Sequence, residues 1–251
     1  MKEINESLVK NLNFNLADID ADNTFGKNRD DLELELTKLR TLLFDLQSKL
    51  YAENKNAVLI VLQGMDTSGK DGTIKHVISA LNPAWCDVTS FKKPTSIELS
   101  HDFLWRIHKA VPPVGFVGVF NRSHYEDIVE AKIQKLAPES HLSNRYDHIN
   151  YFEKILTENK VKIIKLFLHI SKDEQRKRLA ERASDPEKRW KEDSTDYKRR
   201  KKWKEYSKAY NDVIVRCGVK YVPWYVIPSN KKWFRNWIIA MIICQTLKEL
   251  I

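Results

Sequence analysis

At 251 residues, 42% apolar and 31% charged, the chain is long enough for one large α/β domain with a full core, in preference to two domains, and nothing in its composition suggests disorder. Forty-three Lys and Arg against 34 Asp and Glu leave a net charge of +9, which points to an anionic partner: nucleic acid, an anionic membrane or a polyanionic substrate. Cys86, Cys217 and Cys244 lie far apart with no C-x-x-C pair, so they suggest neither a disulfide framework nor a zinc site and suit reduced thiols in a cytoplasmic protein.

Residues 1–27 are polar, rich in Asn and Asp and without a sustained period, and read as an arm that packs on the body or on a neighbouring subunit. No apolar signal core follows the first basic residue, so secretion is not expected. Residues 28–251 read as a single domain. Leu32, Leu36, Leu39, Leu43, Leu46 and Leu50 form one helical stripe, expected to pack on that domain, with an inter-subunit helix pair as the second use.

An apolar run at 57–62 then enters a loop in which Gly64, Gly69 and Lys70 satisfy G-x-x-x-x-G-K-[ST] in all but its last letter. Ile74, Val77, Ile78 and Leu81 recur behind it with helical spacing, so the stretch reads as strand, phosphate cradle and helix. Gly64, Thr67, Ser68, Gly69, Gly72 and Thr73 are the candidate phosphate contacts, with Lys70 supplying a full positive charge. Two carboxylates in such a cradle are unusual. Asp66 makes sense where it holds Mg²⁺ or orients an attacking phosphate oxygen; Asp71 fits that role or a first-turn carboxylate equally.

Residues 87–91 alternate as a short strand leading to Lys92 and Lys93, the latter a further phosphate candidate, and a helix is expected over 97–109. After Pro112, Pro113 and Gly115 comes a second buried run at 116–120. Strands alternating with helices imply a parallel sheet covered on both faces, with ligands at the carboxyl ends of its strands. The site should therefore lie just past Phe120, where Asn121, Arg122, Ser123, His124, Tyr125, Glu126 and Asp127 follow. Arg122 reads as a phosphate contact, His124 as an orienting hydrogen-bond partner, and Asp127 as a second metal-side carboxylate.

A helix over 145–158 and a strand over 161–170 precede Ser171 and Glu174, which have the spacing of a capping box. Residues 172–204 hold fourteen Lys and Arg against eight Asp and Glu. Arg178 and Arg182, four apart, are expected to reach from one helix face toward a phosphate chain, and residues 176–204 read as a lid with a mobile loop near 185–196. A solvated charged face is the competing reading. A last strand at 221–227 and a helix at 231–250 close the chain; its apolar run at 237–244 is too short for a membrane span.

With these motifs in order, the chain resembles the polyphosphate kinase 2 family over roughly residues 28–250. GMDTSGKDG at 64–72 looks like that family's Walker loop, FNRSHYED at 120–127 like its nucleotide-site motif, FLHISKDEQ at 167–175 like the entrance to its lid, and PWYVIPSNKKWFR at 223–235 like its closing segment. The resemblance implies an α/β P-loop kinase fold of the thymidylate-kinase-like type with a helical lid, a homo-oligomer, and reversible transfer of the terminal phosphate of inorganic polyphosphate to AMP and ADP, with GMP and GDP as further acceptors. It implies Mg²⁺ as the required ion, with Mn²⁺ as substitute, and Asp66, Lys70 and Arg122 as the catalytic residues, Asp66 and Lys70 at the transferred group and Arg122 on the nucleotide phosphates. It further implies Asp66 and Asp127 on the metal, Asn121, His124, Tyr125 and Glu126 at the acceptor, and Lys188, Arg189 and Lys191 near the lid tip. Many members carry Trp and Asn-Arg where this chain has His124 and Glu126-Asp127, and the SHYED form is similar to a short subgroup acting on both mono- and diphosphates. The rival readings are an ATP-dependent nucleoside or nucleotide kinase of the same fold and a basic nucleic-acid-binding protein, for which no recognition motif is present.

Overall fold

A computed structural model describes residues 2–9, 13–185 and 194–251. Its centre is strand β1 (Ala57–Gln63), buried along its whole length because an uninterrupted apolar run belongs in a sheet covered on both faces. With β2 (Cys86–Ser90), β3 (Val117–Asn121), β4 (Val161–His169) and β5 (Trp224–Pro228) it forms a parallel sheet in the order β2-β3-β1-β4-β5. Ile60 pairs in register with Val119 on one side and Ile164 on the other. The chain leaves β1 toward β2 but leaves β3 toward β4, so the connections diverge between β1 and β3. In such sheets that divergence opens a crevice at the carboxyl ends of the strands.

The helices in chain order are α1 (Lys2–Ser7), α2 (Arg29–Glu53), α3 (Lys70–His76), α4 (Ser96–Leu99), α5 (Trp105–His108), α6 (Glu126–Ile133), α7 (Glu139–Glu158), α8 (Lys172–Ser184), α9 (Ser194–Lys201), α10 (Trp203–Arg216) and α11 (Lys232–Leu250). Helices α2 and α11 cover one face of the sheet, and α6, α7 and α10 the other. The leucine stripe of α2 is spent inside the chain: Leu32, Leu43, Leu46 and Leu50 are buried against α11 and the sheet, with Leu36 and Leu39 partly so. The arm also packs on its own chain. Leu8 makes an antiparallel bridge to Tyr225, the Val9 N–H donates to the Trp224 carbonyl at 2.8 Å, and Asn230 Nδ2 donates to Asp22 at 2.7 Å. Among the described residues no helix is long and apolar enough to cross a membrane.

Two local expectations are corrected. The helix over 97–109 is two short ones, because Thr95 and Glu98 form a complete capping box that starts α4, while the Asp102 carboxylate accepts from the Leu104 N–H and starts a new turn. At α8 only half a box forms: Ser171 Oγ accepts from the Glu174 N–H at 3.1 Å, but the Glu174 carboxylate turns to Arg178 Nε at 2.7 Å instead of back to the cap.

Candidate active site

The loop between β1 and α3 is shaped by glycines and a strained threonine. Gly69 sits at φ +109°, and a Cβ there would stand 1.8 Å from Nη1 of the buried Arg235, so both backbone conformation and space require glycine. Thr67 adopts φ +63°, in the left-handed region that a β-branched residue rarely enters. Lys70 is buried in the loop's hollow, with Nζ donating to the carbonyls of Gly64 at 2.8 Å and Met65 at 3.1 Å. Burial, with Arg122 adding repulsion, pulls its pKa down to about 8. An arriving phosphate would favour the charged form.

Across the crevice, the turn after β3 delivers Arg122, itself at φ +62°. Its Nη2 meets Asp66 Oδ1 at 2.6 Å and its Nη1 meets Glu126 at 3.2 Å. Arg199 of α9 joins the group, 3.4 Å from the other Asp66 oxygen and 3.3 Å from Glu130. Burial alone would raise the Asp66 pKa, but Arg122, Lys70, Arg199 and Arg182 outweigh it and hold the carboxyl below its ordinary range. Glu130 responds the other way: burial raises its pKa against the pull of Arg199, and Tyr206 Oη donates to it at 3.1 Å. The result is a narrow cleft, lined also by Met65, Gln175, Trp203 and Tyr210, in which Arg122 and Arg199 flank the Asp66 carboxylate.

A second cleft of about 450 Å³ lies between α4–α5 and α6–α7 and is lined by Arg106, Arg145, Asp127, Phe103, Asn144 and three histidines, His101, His141 and His148. Arg106 Nη2 lies 3.4 Å from the Asp127 carboxylate, and Arg145 donates to the Asp127 carbonyl.

The structure thus brings Asp66, Lys70, Arg122 and Glu126 together, but distributes the other candidates. Asn121 donates to Asp71 at 2.9 Å, tying the two loops at their exposed edge. Thr73 is buried and donates back to the Gly69 carbonyl, Ser68 is buried, and Gly72 abuts Arg235. Lys93 is exposed on the turn after β2, and Arg182 pairs with Asp196 at 2.9 Å. Lys188, Arg189 and Lys191 lie outside the described residues.

Three expectations fail on geometry. Arg178 does not reach toward the cleft with Arg182. It is buried, and its five N–H donors go to Glu174 and to the carbonyls of Thr67, Ser68, Ser229 and Asn230, clamping the phosphate loop from behind. His124 and Tyr125 are fully buried and turn toward Glu153 in the core instead of an acceptor. Asp127 lines the second cleft and not the one that holds Asp66, so the two carboxylates do not form a joint metal seat. Among the described residues no three His, Cys, Asp or Glu side chains converge on a point. Asp66 alone fits an ion whose remaining ligands are phosphate oxygens and water, the usual arrangement for Mg²⁺.

Sequence reasoning missed Arg199, hidden in the run KRRK, and Arg235, lost among the aromatic residues of α11. Lys165 carried a readable signal: period two in β4 places it with Ile163 and Phe167 on a core face, where a charge needs a partner.

The sequence profile described as Polyphosphate kinase 2 (PPK2) matches residues 26–250. The chain is 46% identical over 240 residues to the AMP/ADP-polyphosphate phosphotransferase of Meiothermus ruber, covering 94% of this chain and 90% of that one. It is 41% identical over 220 residues to the ADP-polyphosphate phosphotransferase of Rhodopseudomonas palustris, covering 83% and 76% respectively. The crystal structure of polyphosphate kinase 2 from Arthrobacter aurescens TC1 superimposes with a TM-score of 0.96 at 40% identity, over 99% of this chain and 89% of that one.

Proposed function

The chain belongs to the polyphosphate kinase 2 family, and from that premise we propose that it transfers the terminal phosphate of inorganic polyphosphate to AMP and ADP, reversibly. The observation that carries the reading is the cluster at the crevice: Lys70, Arg122 and Arg199 around Asp66, whose carboxyl they hold ionised. An oxygen of the acceptor's last phosphate attacks the terminal phosphorus of the chain. A new P–O bond forms as the bridging P–O bond breaks, and the shortened polyphosphate leaves with the electron pair. This reaction asks little of a general base. It needs alignment and neutralisation of charge on the transferring group, and three cations converging from the start of α3, the turn after β3 and α9 meet that need.

Lys70, now on loop carbonyls, would exchange them for phosphate oxygens, and Arg122 and Arg199 would share their charge between Asp66 and the substrate. Arg182 on α8 and Arg199 on α9 make this basic segment a lid over the polyphosphate. The second cleft has the size for a nucleoside, with Phe103 as an apolar wall and Arg106 and Arg145 beside it. Mg²⁺, held by Asp66 and the phosphates, would neutralise charge on the transferred group.

The test is direct: incubation with Mg²⁺, polyphosphate and AMP or ADP should yield ADP and ATP, resolved chromatographically. Turnover with ATP and AMP but none with polyphosphate would replace this reading by an ATP-dependent kinase.

A further inference from the structure

The turn that presents Arg122 is anchored by groups that line neither cleft. The Arg122 N–H donates to the Leu62 carbonyl at 3.0 Å, and the Tyr125 N–H donates to Ser123 Oγ at 3.3 Å. From there His124 and Tyr125 run into the core. Tyr125 Oη donates to Glu153 Oε1 at 2.5 Å, and His124 Nε2 lies 3.4 Å from the same oxygen. The other Glu153 oxygen takes Lys165 Nζ at 2.7 Å, and Lys165 also donates to the Cys217 carbonyl at 2.6 Å and lies 3.1 Å from Tyr125 Oη. Glu153 and Lys165 are both 0% exposed.

Burial raises the Glu153 pKa, but Lys165 and then His124 reverse the shift and leave an ionised carboxylate. Such a pair is a weak source of stability, since apolar residues of equal volume would commonly serve as well. What it supplies instead is geometry. A carboxylate pinned by Lys165 is a fixed acceptor, and it holds the ring of Tyr125 at one height beneath a turn whose Arg122 is in an unfavourable backbone conformation. The Arg122–Asp66 contact at 2.6 Å stands at the other end of that turn.

We propose that Glu153, held by Lys165, is a positioning residue for phosphoryl transfer, fixing through Tyr125 Oη the turn that sets the Arg122 guanidinium against Asp66. The proposal rests on the reading of Arg122 as a contact of the transferred group. ATP formation from polyphosphate and ADP, measured first in the wild type and in Arg122→Ala, tests that reading separately: turnover by the wild type and its loss on removing the guanidinium are required before the cycle is read.

The test is a double-mutant cycle between Tyr125→Phe and Arg122→Ala, with thermal unfolding recorded for each variant. Tyr125→Phe keeps the ring and removes only the hydroxyl. It should lower kcat by roughly 10- to 100-fold, the scale of a small misplacement of a catalytic group. KM for ADP should stay within about twofold, because the effect falls on alignment. In the Arg122→Ala background the same change should alter kcat by less than about twofold, since there is no guanidinium left to position. An equal loss in both backgrounds would overturn the proposal, as would wild-type kcat in Tyr125→Phe or a rise in KM without loss of kcat. Should Tyr125→Phe not fold, Glu153→Asp, which keeps the charge beside Lys165 but withdraws the acceptor from Tyr125, enters the same cycle under the same criteria.

Discussion

Replacing Arg178 by Lys separates the two roles that a basic residue in this segment can have. The guanidinium makes five hydrogen bonds, to one carboxylate and four backbone carbonyls, at 2.6 to 3.1 Å. An ammonium has three donors leaving from one point, so at least two of those acceptors lose their partner. Hydrogen bonds to a charged group contribute about 1.5–3 kcal/mol each, and two lost in a buried setting therefore cost about 3–6 kcal/mol. For a chain of this size each kcal/mol moves Tm by about 2–4 °C, so a fall of roughly 6–24 °C is expected. KM for polyphosphate, measured well below the new Tm, should stay within about twofold, because Arg178 has no donor left for the substrate. Arg182→Ala is the contrast: KM for polyphosphate should rise and its salt dependence weaken, with Tm little changed. A Tm for Arg178→Lys within about 2 °C of wild type, together with a raised KM, would refute the reasoning and return Arg178 to the phosphate path.

Three more outcomes are expected. Lys70→Ala and Asp66→Asn should each reduce kcat by about 10²- to 10³-fold with the fold retained by circular dichroism, and threefold or less for Asp66→Asn would remove that side chain from the chemistry. If Lys70 acts as an ammonium, kcat/KM should be fullest below pH 8 and decline above it, because its pKa is lowered to about 8 and the charge is lost as pH rises through that value. Lys70→Arg should abolish the alkaline limb in whatever activity remains, and a flat wild-type profile from pH 7 to 9.5 would contradict the assignment. Glu126 orients Arg122 at 3.2 Å, so Glu126→Asn should lower kcat/KM for AMP and ADP alike; a change of more than about threefold in their ratio would make it a selectivity residue instead.

The sheet was legible because its strands are continuous apolar runs separated by unambiguous breakers. Residues 57–62, 116–120 and 161–170 each match an observed strand to within about a residue or two. The outer strand β2 is largely exposed and was found by alternation, with a shift of one residue. What period alone did not resolve was helix continuity. The stretch 97–109 has enough apolar residues for one helix, yet α4 ends at Leu99 and Asp102 offers its own side chain to the Leu104 N–H to start a new turn, a competition invisible to a count of apolar spacing.

The site was legible where a residue's neighbours in sequence are its neighbours in space, and obscured where they are not. Lys70 and Asp66 lie in one loop, and Arg122 follows directly from the end of a strand, so strand order alone brings them to one crevice. Arg178 and Arg182 share a helix at a spacing of four, which suggested a common target, but the i,i+4 relation fixes only the direction in which two side chains leave the axis. Arg178 leaves α8 over the back of the phosphate loop, where its Nη1 donates to the carbonyls of Thr67 and Ser68 at 3.0 and 3.1 Å, next to the left-handed turn at Thr67. The family resemblance implies His124 and Tyr125 at the acceptor, since they share the motif FNRSHYED with Arg122. Arg122 adopts a left-handed backbone, which reverses the chain so that the next side chains run inward. The buried pair that receives them, Glu153 and Lys165, is twelve residues apart in sequence, on α7 and β4. The short turn at 159–160 folds α7 back against β4 and so brings the two charges to 2.7 Å. A lysine at a core position announces that a partner exists; the fold is needed to say which one.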